Sequence, residues 1–76
     1  MKRSLEQLNK GQSGVIVRMN VTGEIKRRLL DMGLVKGTSI MVERVAPLGD
    51  PIEVKVKGYM LSLRKEEAKN IEVEAE

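Results

Sequence analysis

Arg28-Leu29-Leu30-Asp31-Met32-Gly33-Leu34-Val35-Lys36-Gly37-Thr38, followed by an apolar run and then Ala46-Pro47-Leu48-Gly49-Asp50-Pro51, specifies a helix that stops at a glycine, a turn into a strand, and a structured loop. With Gly33 at C′ in the left-handed conformation, Leu29 falls at C3 and Leu34 at C″, the positions whose side chains meet in a Schellman motif. One glycine thus ends the helix and fixes the residue after it.

Working outward, Asn20 or Thr22 can cap a helix over 23–32, and Glu24 in its first turn suits the positive end of the helix dipole. At 100° per residue, Ile25, Leu29 and Met32 fall within a sector of roughly 60° and make a narrow core-facing stripe, while Leu30 points roughly 140° away from Ile25. Before the helix, the β-branched run Val15-Ile16-Val17-Arg18-Met19 reads as a strand punctuated on its N-terminal side by Gly11 and Gly14. Ser4 to Asn9 carries the apolar i, i+3 pair of one helical turn.

After Gly37 a strand is expected from Thr38 to about Ala46, with Ile40 and Val42 on one face. From Pro51 onward the period is two: Ile52, Val54 and Val56 inward, Glu53, Lys55 and Lys57 outward. Gly58 permits a tight reversal into Tyr59-Met60-Leu61-Ser62-Leu63, one turn follows at 65–70, and Ile71 and Val73 alternate with Glu72 and Glu74. About five short antiparallel strands and one short helix in a chain of 76 residues cannot form two covered sheets. The expected fold is therefore all-β, a small SH3-like barrel forming a single domain over 1–76.

Composition narrows the chemistry. The chain has no His and no Cys, which removes Ser-His and Cys-His nucleophile pairs, an imidazole base, disulfides and soft-ligand metal sites. No constellation sets a nucleophile beside a base, so no enzyme and no cofactor is expected. Glu66, Glu67, Glu72, Glu74 and Glu76 read as surface charge. No apolar stretch is long enough to span a bilayer and the N-terminal residues lack the apolar core of a signal peptide, so a cytoplasmic protein is expected.

The net charge of +3 is uneven. Residues 1–36 hold eight Lys or Arg against three acids, giving +5, and residues 37–76 hold six against eight, giving −2. A basic first half and a pI of 9.5 raise the alternative of a nucleic-acid-binding barrel. Against it, single-strand readers stack bases on aromatic rings, and Tyr59 is the sole aromatic residue. No nucleic acid is expected.

The run 28–38, the loop 46–51, the hairpin Val56-Lys57-Gly58-Tyr59, the segment Leu61-Ser62-Leu63-Arg64-Lys65-Glu66-Glu67-Ala68 and the closing Ile71-Glu72-Val73 together resemble FeoA, the small ferrous iron transport protein. That family is similar in turn to the SH3-like C-terminal domain of diphtheria-toxin-repressor-type regulators. The resemblance implies an accessory protein of bacterial ferrous iron uptake that contacts the cytoplasmic G-protein region of a FeoB-type transporter. It would reach the membrane only through that transporter. A family association with transition metal ions comes with the resemblance, without a ligand set in this sequence.

Leu30, Leu34 and the loop residues Pro47, Leu48, Gly49, Asp50 and Pro51 are the expected partner contacts, with Arg28 and Arg64 as rim charges. Each has a plainer reading beside it. Leu30 could pack beneath the 46–51 loop, the two prolines could serve only to fix that loop's path, and Lys26-Arg27-Arg28 fans over roughly 200° of helix as a solvated charge run. Arg28, nearest the core stripe, is placed to pair with an acid. Oligomeric state is not legible.

Overall fold

The computed structural model describes residues 1–75. Six strands form one antiparallel sheet: β1 Lys2–Ser4, β2 Ser13–Met19, β3 Ser39–Val45, β4 Ile52–Val56, β5 Tyr59–Leu63 and β6 Ile71–Ala75, in the order β1-β6-β2-β3-β4-β5. A 3₁₀ turn, Leu5–Gln7, follows β1, and two helices, α1 Gly23–Asp31 and α2 Lys65–Ala68, complete the chain. The result is the mainly-β barrel anticipated from the strand pattern. The strand the sequence did not reveal is β1, whose three residues carry no apolar alternation and are held by register with β6, Lys2 opposite Glu74 and Ser4 opposite Glu72.

Two irregularities let one sheet curl around one core. Between Ile16 and Arg18 β2 advances two residues while β6 advances one, and β3 does the same against β4 between Val42 and Arg44. Such bulges bend a strand and increase its twist. β2 pairs with β3 through Ser13–Val15 and with β6 from Gly14 to Met19, so Gly14 and Val15 lie between both neighbours. At the crossing, Gly14 lies so close to β6 that an added Cβ would stand 2.8 Å from the Glu74 carbonyl oxygen.

The inward rows are as the period of two predicts: Ile40 and Val42 on β3, Ile52, Val54 and Val56 on β4, Ile71 and Val73 on β6 are all buried. Leu5 and Leu8 of the single turn close one end. Lys57 and Gly58 both take positive φ, as the two-residue turn between β4 and β5 requires.

The helix stop forms as read. Gly33 has φ +88°, the Leu34 N–H donates to the Leu29 carbonyl at 3.0 Å, and the Gly33 N–H donates to the Leu30 carbonyl at 2.9 Å. These are the two bonds of a Schellman motif. The Tyr59 hydroxyl donates to the Met32 carbonyl and ties the helix end to the start of β5. Leu29 and Leu34 are both fully enclosed.

One stripe residue departs from expectation. Ile25 is 47% exposed, because α1 meets the barrel through its last turn alone, by Leu29 and Met32, while Val21 closes the core ahead of the helix. The first turn stands over solvent.

At the chain ends, the Ala75 N–H donates to the Met1 carbonyl, and the Met1 ammonium pairs with Glu74. The hydrogen bond its carboxylate accepts from the Met1 ammonium, with the ammonium's charge, holds the Glu74 carboxyl below the usual carboxylate range. A lowered folded pKa means the contribution is complete above the unfolded carboxylate pKa and is lost as pH falls through the folded one. For an exposed pair the effect is small. N-terminally acetylated protein should therefore show a slightly shallower fall of Tm on acidification than the free amine, measured by thermal melts across the acid range.

Candidate interaction surface

The residues expected to touch a partner do not all lie together. Leu34 is wholly buried at the helix stop, so it serves the core and offers nothing to a binding surface. Its apolar character is used up by the contact that the Schellman geometry imposes.

The loop after β3 is rigid for local reasons. The Gly49 N–H donates to the Ala46 carbonyl at 2.7 Å, closing a turn with Pro47 and Leu48 at its centre, and the Ala46 N–H donates to the Pro51 carbonyl at 3.1 Å. The Asp50–Pro51 peptide is cis. Asp50 does structural work: its Oδ1 accepts the Lys65 N–H at 3.0 Å, satisfying the first amide of α2, and its Oδ2 lies 3.5 Å from Arg64. Leu48, at the tip, is 91% exposed. Gly49 borders a cleft with Glu6, Leu8, Lys10, Arg44 and Lys65.

Arg28 pairs with Glu67, as its place beside the core stripe suggests. Glu67 is not the surface charge its composition implied. It is 7% exposed, with one carboxylate oxygen on Arg28 and the other accepting the Arg64 N–H at 2.9 Å. Nothing local in Lys65-Glu66-Glu67-Ala68 marks the second glutamate as the buried one, since α2 packs by the tertiary partner that Arg28 provides.

Leu30 is 42% exposed and lies on a different part of the molecule from the loop. With Val17 and Met19 of β2 it lines a cleft of about 310 Å³ whose remaining lining is Arg18, Lys26 and Lys36. Val17 and Met19 are both half-buried, and the bulge between Ile16 and Arg18 sets Met19 opposite the inward Ile71, so that Met19 packs against the core as well. The cleft therefore has an apolar floor of three side chains, a rim of three cations, and no acid. Val17, Met19 and Lys36 were not legible as site residues, since what meets Leu30 is decided by how α1 lies on β2. The 46–51 loop contributes nothing to this cleft.

Among the described residues no three Asp or Glu side chains converge on a metal position, and no helix is long and apolar enough to cross a membrane. What the cleft can do is bury an apolar side chain beside a carboxylate.

The FeoA domain family matches residues 3–75. The chain belongs to the FeoA family. Two curated relatives align over 70 residues, 92% of this chain: a Fe(2+) transport protein A/Fe(2+) transporter FeoB fusion protein of Porphyromonas gingivalis at 44% identity, and a protein of Campylobacter jejuni named for Fe(2+) transport protein A at 34%. This FeoA chain spans 8% of the length of the fusion protein and 95% of the length of the second. Among solved structures, the FeoA of Stenotrophomonas maltophilia, an SH3 domain protein crystallised with zinc, superposes with a TM-score of 0.79 at 31% identity over 93% of this chain and 88% of that one. A manganese-dependent transcriptional repressor superposes with a TM-score of 0.91 at 18% identity, covering 99% of this chain and 41% of that one, a likeness of fold alone.

Proposed function

We propose that this chain is an accessory protein of bacterial ferrous iron uptake that docks, on the cytoplasmic side, against the G-protein region of a FeoB-type transporter, with the Leu30 cleft as its contact surface. The observation that carries the reading is the fusion of a 44%-identical FeoA segment to FeoB in one polypeptide. Parts joined in one chain are held at high mutual concentration, which serves components that work together. With neither His nor Cys in the sequence, modulation by contact is the chemistry that its surface supports.

In this reading Leu30, Val17 and Met19 receive an apolar side chain of the transporter, while Arg18, Lys26 and Lys36 face carboxylates around it. Central apolar anchors carry most of an interface's energy and rim charges set approach and orientation.

Leu30→Ser should weaken binding to the purified transporter G domain about 30-fold, the equivalent of roughly 2 kcal/mol, as for a central anchor. Because Leu30 is substantially solvent-facing, the thermal melt should stay near that of the wild type. Isothermal titration of the two purified proteins reads the first quantity and circular dichroism the second. A normally folded Leu30→Ser protein that binds as the wild type does rejects this surface. Leu48→Ser, titrated alongside, reports separately on the loop tip.

A further inference from the structure

The sheet ends in two strands that pair on one side only, and the two edges are built differently. β1 is three residues long and carries Lys2 and Arg3, the short, charged design that discourages further pairing. β5, Tyr59-Met60-Leu61-Ser62-Leu63, runs five residues with no charge, no proline and no bulge. Across the two-residue turn Val56 and Tyr59 form a hydrogen-bonded pair, so by alternation Leu61 and Leu63 bond to β4 as well. The N–H and C=O groups of Met60 and Ser62 therefore point away from the sheet. Among the described residues no turn, loop or side-chain group bonds to them.

The charges around this edge select what can pair with it. Lys57 precedes the strand, Lys55 stands opposite Met60 on β4, and Arg64 and Lys65 follow Leu63, all solvent-facing. Of the nearby acids, Glu53, opposite Ser62, lies 3.9 Å from Arg44, and Asp50 is engaged with Arg64 and the Lys65 amide. The free edge is an uncharged strip with cations at both ends. A second copy of the chain, paired antiparallel about Leu61, would set Met60 against Ser62 but also Lys57 against Lys65 of the other copy, a repulsive pairing.

We propose that the free edge of β5 receives, by strand addition, an extended segment of a partner protein with β-branched residues at its centre and Asp or Glu at its ends. The main-chain groups of Met60 and Ser62 supply the ladder, and Lys57 and Arg64 read the terminal carboxylates. This surface is distinct from the Leu30 cleft and does not rest on the function proposed for it.

The test uses the full chain, isotopically labelled, with two synthetic peptides, Glu-Thr-Val-Thr-Val-Thr-Glu and Lys-Thr-Val-Thr-Val-Thr-Lys, each at about 1 mM, since single added strands bind weakly. Amide hydrogen exchange is followed residue by residue. The acid-flanked peptide should slow exchange at Met60 and Ser62 about tenfold, and the lysine-flanked one at most about twofold. Ser62→Pro, which removes an outward N–H where an edge tolerates proline, should abolish the protection at Met60. Lys57→Glu leaves the backbone ladder intact and should narrow the preference for the acid-flanked peptide, so the proposal remains testable if the proline variant does not fold. Equal protection by both peptides, or none by either, overturns the proposal. So does protection that appears without peptide as protein concentration rises, which would make a second copy the occupant. Retained binding of Ser62→Pro to the transporter G domain separates failure here from failure of the Leu30 cleft.

Discussion

Leu29→Asn should leave the domain unfolded at room temperature. Truncating a buried leucine costs about 2 to 5 kcal/mol, and an amide without a hydrogen-bond partner in its place adds about 1 to 3 kcal/mol. A domain of this size has a total stability of about 4 to 11 kcal/mol. Leu29 is fully enclosed and, at C3, supplies the apolar side chain that accompanies Leu34 in the Schellman motif, so the substitution strikes the core and the helix stop together. Far-UV circular dichroism at 25 °C reads the outcome, with loss of the cooperative thermal transition expected. A melt within a few degrees of the wild type would mean that α1 is not anchored through this residue.

The second large effect falls on a residue that looks innocuous. Gly14→Ala should destabilise by about 1 to 3 kcal/mol through overpacking, lowering Tm by roughly 5 to 20 °C in a domain this small. The cause is steric rather than conformational. A Cβ there meets the Glu74 carbonyl oxygen at 2.8 Å and the Val73 Cβ at 3.2 Å, both on the strand that β2 must pair with. Gly37 is the control. Its φ of +93° strains an alanine, but open space surrounds the added carbon, so the cost should be near 1 kcal/mol. Melts in which Gly37→Ala loses as much as Gly14→Ala would argue that the β2–β6 crossing is looser than described.

These two residues mark what a sequence can and cannot disclose. Leu29 was legible because the helix stop is a local code: a glycine, its left-handed backbone, and two leucines at fixed offsets. The same holds for the rows of β4 and β6, where alternation alone assigns inside and outside. Gly14 read as turn punctuation, and only the curling of the sheet turns it into a point of close approach between strands distant in sequence. Ile25 failed for a related reason, since helical periodicity fixes directions around an axis but not how far along the axis the core extends.

The candidate surface was legible in halves. Leu30 stood out because it leaves the stripe, and the structure sets it in a cleft. Its companions Val17 and Met19 lie on β2, and their meeting with Leu30 depends on how α1 lies on that strand. Leu34, expected as a contact, is enclosed by the helix stop itself, and Glu67, expected as surface charge, is buried because its partner Arg28 lies on another helix. The Asp50 carboxylate, expected at an interface, is committed to α2 inside its own chain.

The pairing of β1 with β6 has one more implication. Lys2 opposite Glu74 and the Ala75 amide on the Met1 carbonyl bring the two ends of the chain side by side, at the opposite end of the strand order from β5. A linker joined at either end departs from beside the β1–β6 pair. Short flexible tethers give effective concentrations in the millimolar range. In a polypeptide built that way, a contact too weak to survive dilution would still be occupied most of the time.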